Sequence, residues 1–178
     1  MAETEGVIKF HLDYEVATVS AEAVDELNVL RSLLFQLGMV GQDPARYGGY
    51  GFGNLSMRCE SNPGHFLISG TQTGHIAELS PEQYVTIIEC DIAANSVIAR
   101  GPVKPSSEAL THAMIYQLNP SIKCVLHAHK PELWRYGLDN GYPSTDKSIE
   151  YGTVQMAQEI ERLNQSNAFE DRQVLVMA

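Results

Sequence analysis

Two short β-prone runs, residues 54–59 (NLSMRC) and 65–69 (HFLIS), stand on either side of Ser61-Asn62-Pro63-Gly64. That spacing predicts a hairpin, two strands joined by residues that favour a tight turn. A hairpin commits this part of the chain to an antiparallel sheet, and the remaining segments must pair beside it or pack onto it. Further strands are predicted at 84–91 (YVTIIECD), at 97–100 and at 122–129 (IKCVLHAH), the last with the look of a buried strand. Residues 7–16 alternate, with Ile8, Phe10, Leu12, Tyr14 and Val16 against Lys9, His11, Asp13 and Glu15, the pattern of a half-buried strand.

Helices fall between these runs. Ser20 stands where an N-cap belongs, ahead of a stripe made by Val24, Leu27, Leu30, Leu34 and Leu37, and Gly38 is a stop. Pro105 precedes a helix from Ser106 to about Leu118, ended by Asn119-Pro120. A short helix is expected at 131–136, with Trp134 in the core, and a last one at about 153–164. Residues 41–53 carry five glycines and Pro44, a loop or a pair of turns. Strands intermixed with helices imply a mixed, mostly antiparallel sheet with helices against its faces. The closing run VLVMA reads as a core strand, so the chain is expected to continue beyond Ala178.

At 178 residues the chain suits one domain and needs no covalent staples to fold. Lys and Arg number 12 against 22 Asp and Glu, a formal net charge of −10. No basic run offers a footprint for nucleic acid, and an anionic membrane surface is disfavoured by the same charge. No stretch approaches the ~20 apolar residues of a membrane span. The opening MAETEGVIKF lacks the basic region and apolar core of a signal peptide. Cys59, Cys90 and Cys124 are odd in number and form no CxxC pair, which reads as reduced thiols in a cytoplasmic protein.

Three segments could carry chemistry. His127-Ala128-His129 closes a predicted strand, where period two puts both imidazoles on one face, Cα atoms roughly 6.5–7 Å apart, so they either converge on one metal ion or are two structural histidines. In Gly101-Pro-Val-Lys-Pro-Ser-Ser-Glu108 a helix start with two serines suits a phosphate, with Glu108 in the first turn; the plainer reading is a well-capped helix. Glu108 and His112 stand four apart and could share a metal, although packing or surface is the simpler place for His112. The turns around Gly53-Asn54-Leu55-Ser56 and Ser69-Gly70-Thr71-Gln72-Thr73-Gly74 either expose backbone N–H groups to an anion or are ordinary turns.

In that order GNLSMR (53–58), SGTQTG (69–74), PSSE (105–108) and HAH (127–129), with YGT at 151–153, resemble the class II aldolase/adducin family. The resemblance covers roughly residues 24–178 and implies an α/β fold, a three-layer α/β/α sandwich with a central, mostly antiparallel mixed sheet. By it, His127 and His129 are ligands of Zn2+, and Glu108 is the acid/base residue that also coordinates the metal when substrate is absent. Asn54, Thr73, Gly74, Ser106 and Ser107 match positions that hold a substrate phosphate. A third histidine ligand is expected beyond Ala178, so the metal site is expected to be incomplete in this chain. The organisation implied is a single domain over 1–178, with 1–19 as an extra N-terminal strand segment and the C-terminal part missing. The activity implied is an aldolase-type lyase of carbohydrate metabolism, acting on a small phosphorylated hydroxy-carbonyl compound through a zinc-stabilised enediolate. A family epimerase or dehydratase, and a non-catalytic adducin-like interaction protein, stay open as alternatives. Its partners are a small-molecule substrate and further copies of the chain, most simply a homotetramer.

Overall fold

The hairpin forms where the turn residues put it: β4 (Asn54–Arg58) pairs antiparallel with β5 (Phe66–Ser69), Ser56 opposite Ile68. The computed structural model describes residues 7–166 and 173–178; residues 1–6 of the predicted N-terminal extension and 167–172 lie outside the description. Ahead of the hairpin come β1 (His11–Val16), α1 (Asp25–Gln36) and a small ribbon of β2 (Gly41–Gln42) with β3 (Gly51–Phe52). After it come β6 (Tyr84–Asp91), β7 (Ser96–Gly101), α2 (Ala109–Leu118), β8 (Cys124–His127), α3 (Pro131–Asp139) and α4 (Val154–Gln165).

The main sheet has six strands in the order β1-β7-β6-β5-β4-β8. Its ladders are antiparallel except β1 with β7, which is parallel, so the sheet is mixed and mostly antiparallel. Alternation along the strands sends side chains to two faces, and each face has its own helical layer. Phe66, Ile68, Val85 and Ile87 meet Ala109, Leu110, Ala113 and Tyr116 around α2. On the opposite face Leu55, Leu67 and Tyr84 meet Val24, Leu27 and Leu34 of the α1 region. Helix α4 joins the first layer through Ala157 and Ile160 against Met114. The result is the three-layer α/β/α sandwich implied by the resemblance. None of the helices among the described residues is long and apolar enough to cross a membrane.

Several local expectations shift. Helix α1 begins at Asp25 after Val24, and Ser20 instead accepts from the Ala23 N–H in the turn before it. Trp134 is 43% exposed rather than in the core, its Nε1–H donating to the Met177 carbonyl. The VLVMA run joins no sheet among the described residues; its strand-like pairing is a bridge from Val176 to Ser144. One backbone bridge leaves side chains such as Val174 half exposed, which apolar character alone could not reveal.

Candidate active site

The end of the β4–β8 ladder builds the site. Register sets Asn54 opposite His127, and the preceding residue, Gly53, has φ 75°. A Cβ there would lie 2.6 Å from Val40 Cγ1 and 3.0 Å from the His127 carbonyl oxygen, so only glycine brings these backbones this close. The strand stops at His127, earlier than predicted, and His129 lies past it with its N–H bonded to the Met39 carbonyl at 2.7 Å. The two imidazoles nevertheless stack, with ring centroids 4.8 Å apart and planes at 20°.

The two glycine and serine segments are stitched together. Ser106 N–H donates to the Ser69 carbonyl at 3.2 Å and Thr71 N–H to the Lys104 carbonyl at 3.0 Å, beside a bridge between Gly70 and Pro105. Thr73 Oγ1 donates to the Gly70 carbonyl, closing the turn at 2.9 Å. Ser106 Oγ accepts from the Glu108 N–H at 3.3 Å. Helix α2 starts at Ala109, so Glu108 stands at its cap position rather than within its first turn. Its side chain, like those of Ser106 and Ser107, is buried.

All the residues singled out by sequence meet. Asn54, Thr73, Gly74, Ser106, Ser107, Glu108, His127 and His129 line one pocket, with the turn on one side and the imidazoles on the other. Burial, then the neighbouring His127 and Arg46, push His129 down to about 3, so its ring keeps a lone pair at neutral pH. Its Nε2 is buried without a hydrogen-bond partner. Such an orphaned nitrogen on a neutral ring, beside a second imidazole, fits two positions of a divalent-cation site. Among the described residues no three His, Cys, Asp or Glu side chains assemble into a complete cluster, Glu108 included.

Two neighbours of the site were not singled out by sequence. Tyr47, at φ 49°, sets its ring edge against His129 with centroids 4.8 Å apart, and Arg46 lies over Phe52 at 4.4 Å. The glycine-rich loop signalled a turn but not which side chain it would set against the imidazoles. His112 is fully buried, bonded through Nδ1 to Ser56 Oγ at 2.7 Å. Its spacing of four from both Glu108 and Tyr116 was the available signal.

Fold and pocket together define an α/β sandwich that joins a glycine- and serine-rich turn to a pair of imidazoles at one end of its sheet. The chain belongs to the family described as the Class II Aldolase and Adducin N-terminal domain, whose model matches residues 45–176. It is 31% identical over 113 residues to a methylthioribulose-1-phosphate dehydratase of Xanthomonas oryzae pv. oryzae (strain MAFF 311018), covering 63% of this chain and 44% of that protein. A protein of the same name from Stenotrophomonas maltophilia (strain K279a) is 31% identical over 78 residues, 44% of this chain and 33% of its own. The chain thus spans less than half the length of these curated relatives. Among solved structures, an L-fuculose 1-phosphate aldolase matches with a TM-score of 0.64 at 20% identity, covering 90% of this chain and 73% of its own.

Proposed function

We propose that this chain supplies the phosphate cradle, the acid/base carboxylate and two metal-binding histidines of a lyase acting on a small phosphorylated hydroxy-ketone. The observation that carries the reading is the meeting of anion donors and two imidazoles around one buried carboxylate, Glu108. At one end, N–H and hydroxyl donors of Asn54, Thr73, Gly74, Ser106 and Ser107 take the phosphate. At the other, His127 and His129 hold a divalent cation, zinc by donor type. When bound, that cation supplies Lewis acidity, drawing charge toward the substrate carbonyl oxygen. Glu108 takes the proton from the carbon beside the carbonyl and returns it to the departing group. Holding the phosphate fixes where that carbon lies relative to Glu108, which is most of what a positioned base needs.

Dehydration and aldol cleavage both use such a polarised carbonyl. The names of the curated relatives support dehydration, with a ketose phosphate such as methylthioribulose 1-phosphate as substrate. The test supplies the purified chain with zinc and methylthioribulose 1-phosphate and follows substrate loss by proton NMR. Substrate loss that depends on Glu108 is the expected result. Zinc-loaded protein that turns over neither this ketose phosphate nor fuculose 1-phosphate would overturn the reading.

The same reading takes the assembly to be a homotetramer. Its support is the apolar surface left by Val29, Leu33 and Leu37 at α1 and by Leu133, Trp134 and Tyr136 on α3, all exposed in the single chain. Light scattering that gives only the 19.6 kDa monomer at micromolar concentration would refute it.

A further inference from the structure

Behind the pocket, on the α2 side of the sheet, runs a buried polar chain that the phosphate and metal contacts do not use. His112 Nδ1 lies 2.7 Å from Ser56 Oγ, and Ser56 Oγ lies 2.8 Å from Tyr116 Oη. His112 and Tyr116 stand four apart on one face of α2, and Ser56 stands two beyond Asn54 on one face of β4. All three side chains are buried. The other ring nitrogen of His112, Nε2, is buried with no hydrogen-bond partner. Register sets Asn54 opposite His127, and Asn54 stands two residues before Ser56 on the same face of β4, so the His127 side chain shares this side of the sheet with the Ser56–His112 pair.

A polar ring in a core costs stability unless its nitrogens are satisfied. Here one nitrogen meets the Ser56 hydroxyl, itself held by Tyr116, and the other is left unpaired. Packing alone would be served as well by leucine. A histidine that ligates a metal also needs an acceptor for its second ring N–H, to set its tautomer and plane.

We propose that His112 is a positioning residue for His127: its Nε2 lone pair, unpartnered in this structure, is the acceptor toward which the His127 ring N–H turns, which aims the other His127 nitrogen at a cation in the pocket. His112 then carries its own proton on Nδ1 and donates it to Ser56 Oγ, which donates in turn to Tyr116 Oη. Helix α2 thereby orients the end of β8 through side chains. The inference rests on the reading of His127 as a metal ligand and adds the residues that aim it.

The test has two readouts on the whole chain. Long-range proton–nitrogen NMR of protein labelled with 15N-histidine reports the His127 tautomer without metal, and competition with a chromophoric chelator reports Zn2+ affinity. One His127 tautomer is expected in the wild type. His112→Asn and Ser56→Ala are expected to mix the tautomers and weaken Zn2+ binding by about 10–100-fold. If His112→Asn does not fold, Ser56→Ala decides alone, since it removes one oxygen and leaves the His112 ring in place. Unchanged tautomer and unchanged zinc affinity in a folded variant overturn the proposal while leaving the metal reading standing. A wild type that binds no zinc, yet whose His127 tautomer responds to Ser56→Ala, overturns the metal reading and supports the positioning role. Neither zinc binding nor a tautomer response overturns both.

Discussion

Asn54 and His127 oppose each other on the same rung of the β4–β8 ladder, at the end of its register. Directly opposed residues in an antiparallel pair keep their Cβ atoms about 4.5–5.5 Å apart. The Asn54 side and the imidazole side of the pocket therefore meet at a single rung. A slip of one residue would turn His127 to the α1 face, so the hairpin that pins β4 also aims the site.

His127→Ala and His129→Ala are each expected to lower zinc occupancy sharply while the domain stays folded. Alanine at either position keeps the backbone pairing of His127 with Asn54 and the bond from the His129 N–H to the Met39 carbonyl, so the frame of the domain is retained. Elemental analysis with circular dichroism on the same samples checks this. Stoichiometric zinc retained in both variants would rule these ligands out.

Glu108→Gln keeps the shape and the hydrogen-bonding reach of the side chain but removes its basicity. Zinc and phosphate binding should persist, while turnover of the ketose phosphate falls by about 10²–10⁴-fold, the contribution of a positioned acid/base. Turnover within a factor of a few of wild type would leave Glu108 as a helix-cap acid.

The sheet was legible because its signals are local. β6 spans the predicted 84–91 run, and the Ser61–Gly64 turn closes the predicted hairpin. The residues of the pocket were legible because each sits at a turn or an element end that glycine, serine or histidine marks in sequence. What sequence left open depends on distance along the chain. Ser56 and His112 are 56 residues apart, and a hydrogen bond between them has no local signature. Tyr47 sets its ring edge against His129 from a left-handed backbone that an aromatic residue rarely adopts, and no local sequence rule announces it. The final apolar run was read from character alone, and the pairing that decides its place is not encoded within five residues.

Glu159 offers a pH test of the fold away from the pocket. It accepts from Arg162 at 2.8 and 2.6 Å and from the Asp146 N–H at 2.9 Å, tying the loop before α4 to the helix. These bonds, Arg162 first, hold its carboxyl below the ordinary 4.5 despite burial. A carboxyl depressed in the folded state stabilises above its unfolded value, and that contribution is lost as pH falls through the folded one. Glu159→Gln should therefore lower Tm at pH 7, with the gap to wild type closing below pH 4.5. An equal Tm gap at pH 7 and pH 3 would contradict the assignment.

Gly74 links the small ribbon to the proposed phosphate site, and its replacement tests both at once. A Cβ at this position would run into the Gly41 carbonyl oxygen and lie 2.9 Å from the Gly51 Cα. Both obstacles are backbone of the β2–β3 ribbon, so no side-chain rotation can relieve the clash, and either the ribbon or the 69–74 turn must move. Overpacking of this kind costs about 1–3 kcal/mol, which denaturant unfolding of Gly74→Ala should register. If the turn is what moves, its N–H groups leave the phosphate position, and inorganic phosphate should bind at least about 10-fold more weakly, as misplaced contacts do. Gly64→Ala is the control: its Cβ would meet only the flexible Asn62 Oδ1 at 3.4 Å, and Gly64 does not line the pocket. Gly74→Ala with the stability and phosphate affinity of Gly64→Ala would mean that the ribbon yields freely and that the turn does not grip an anion.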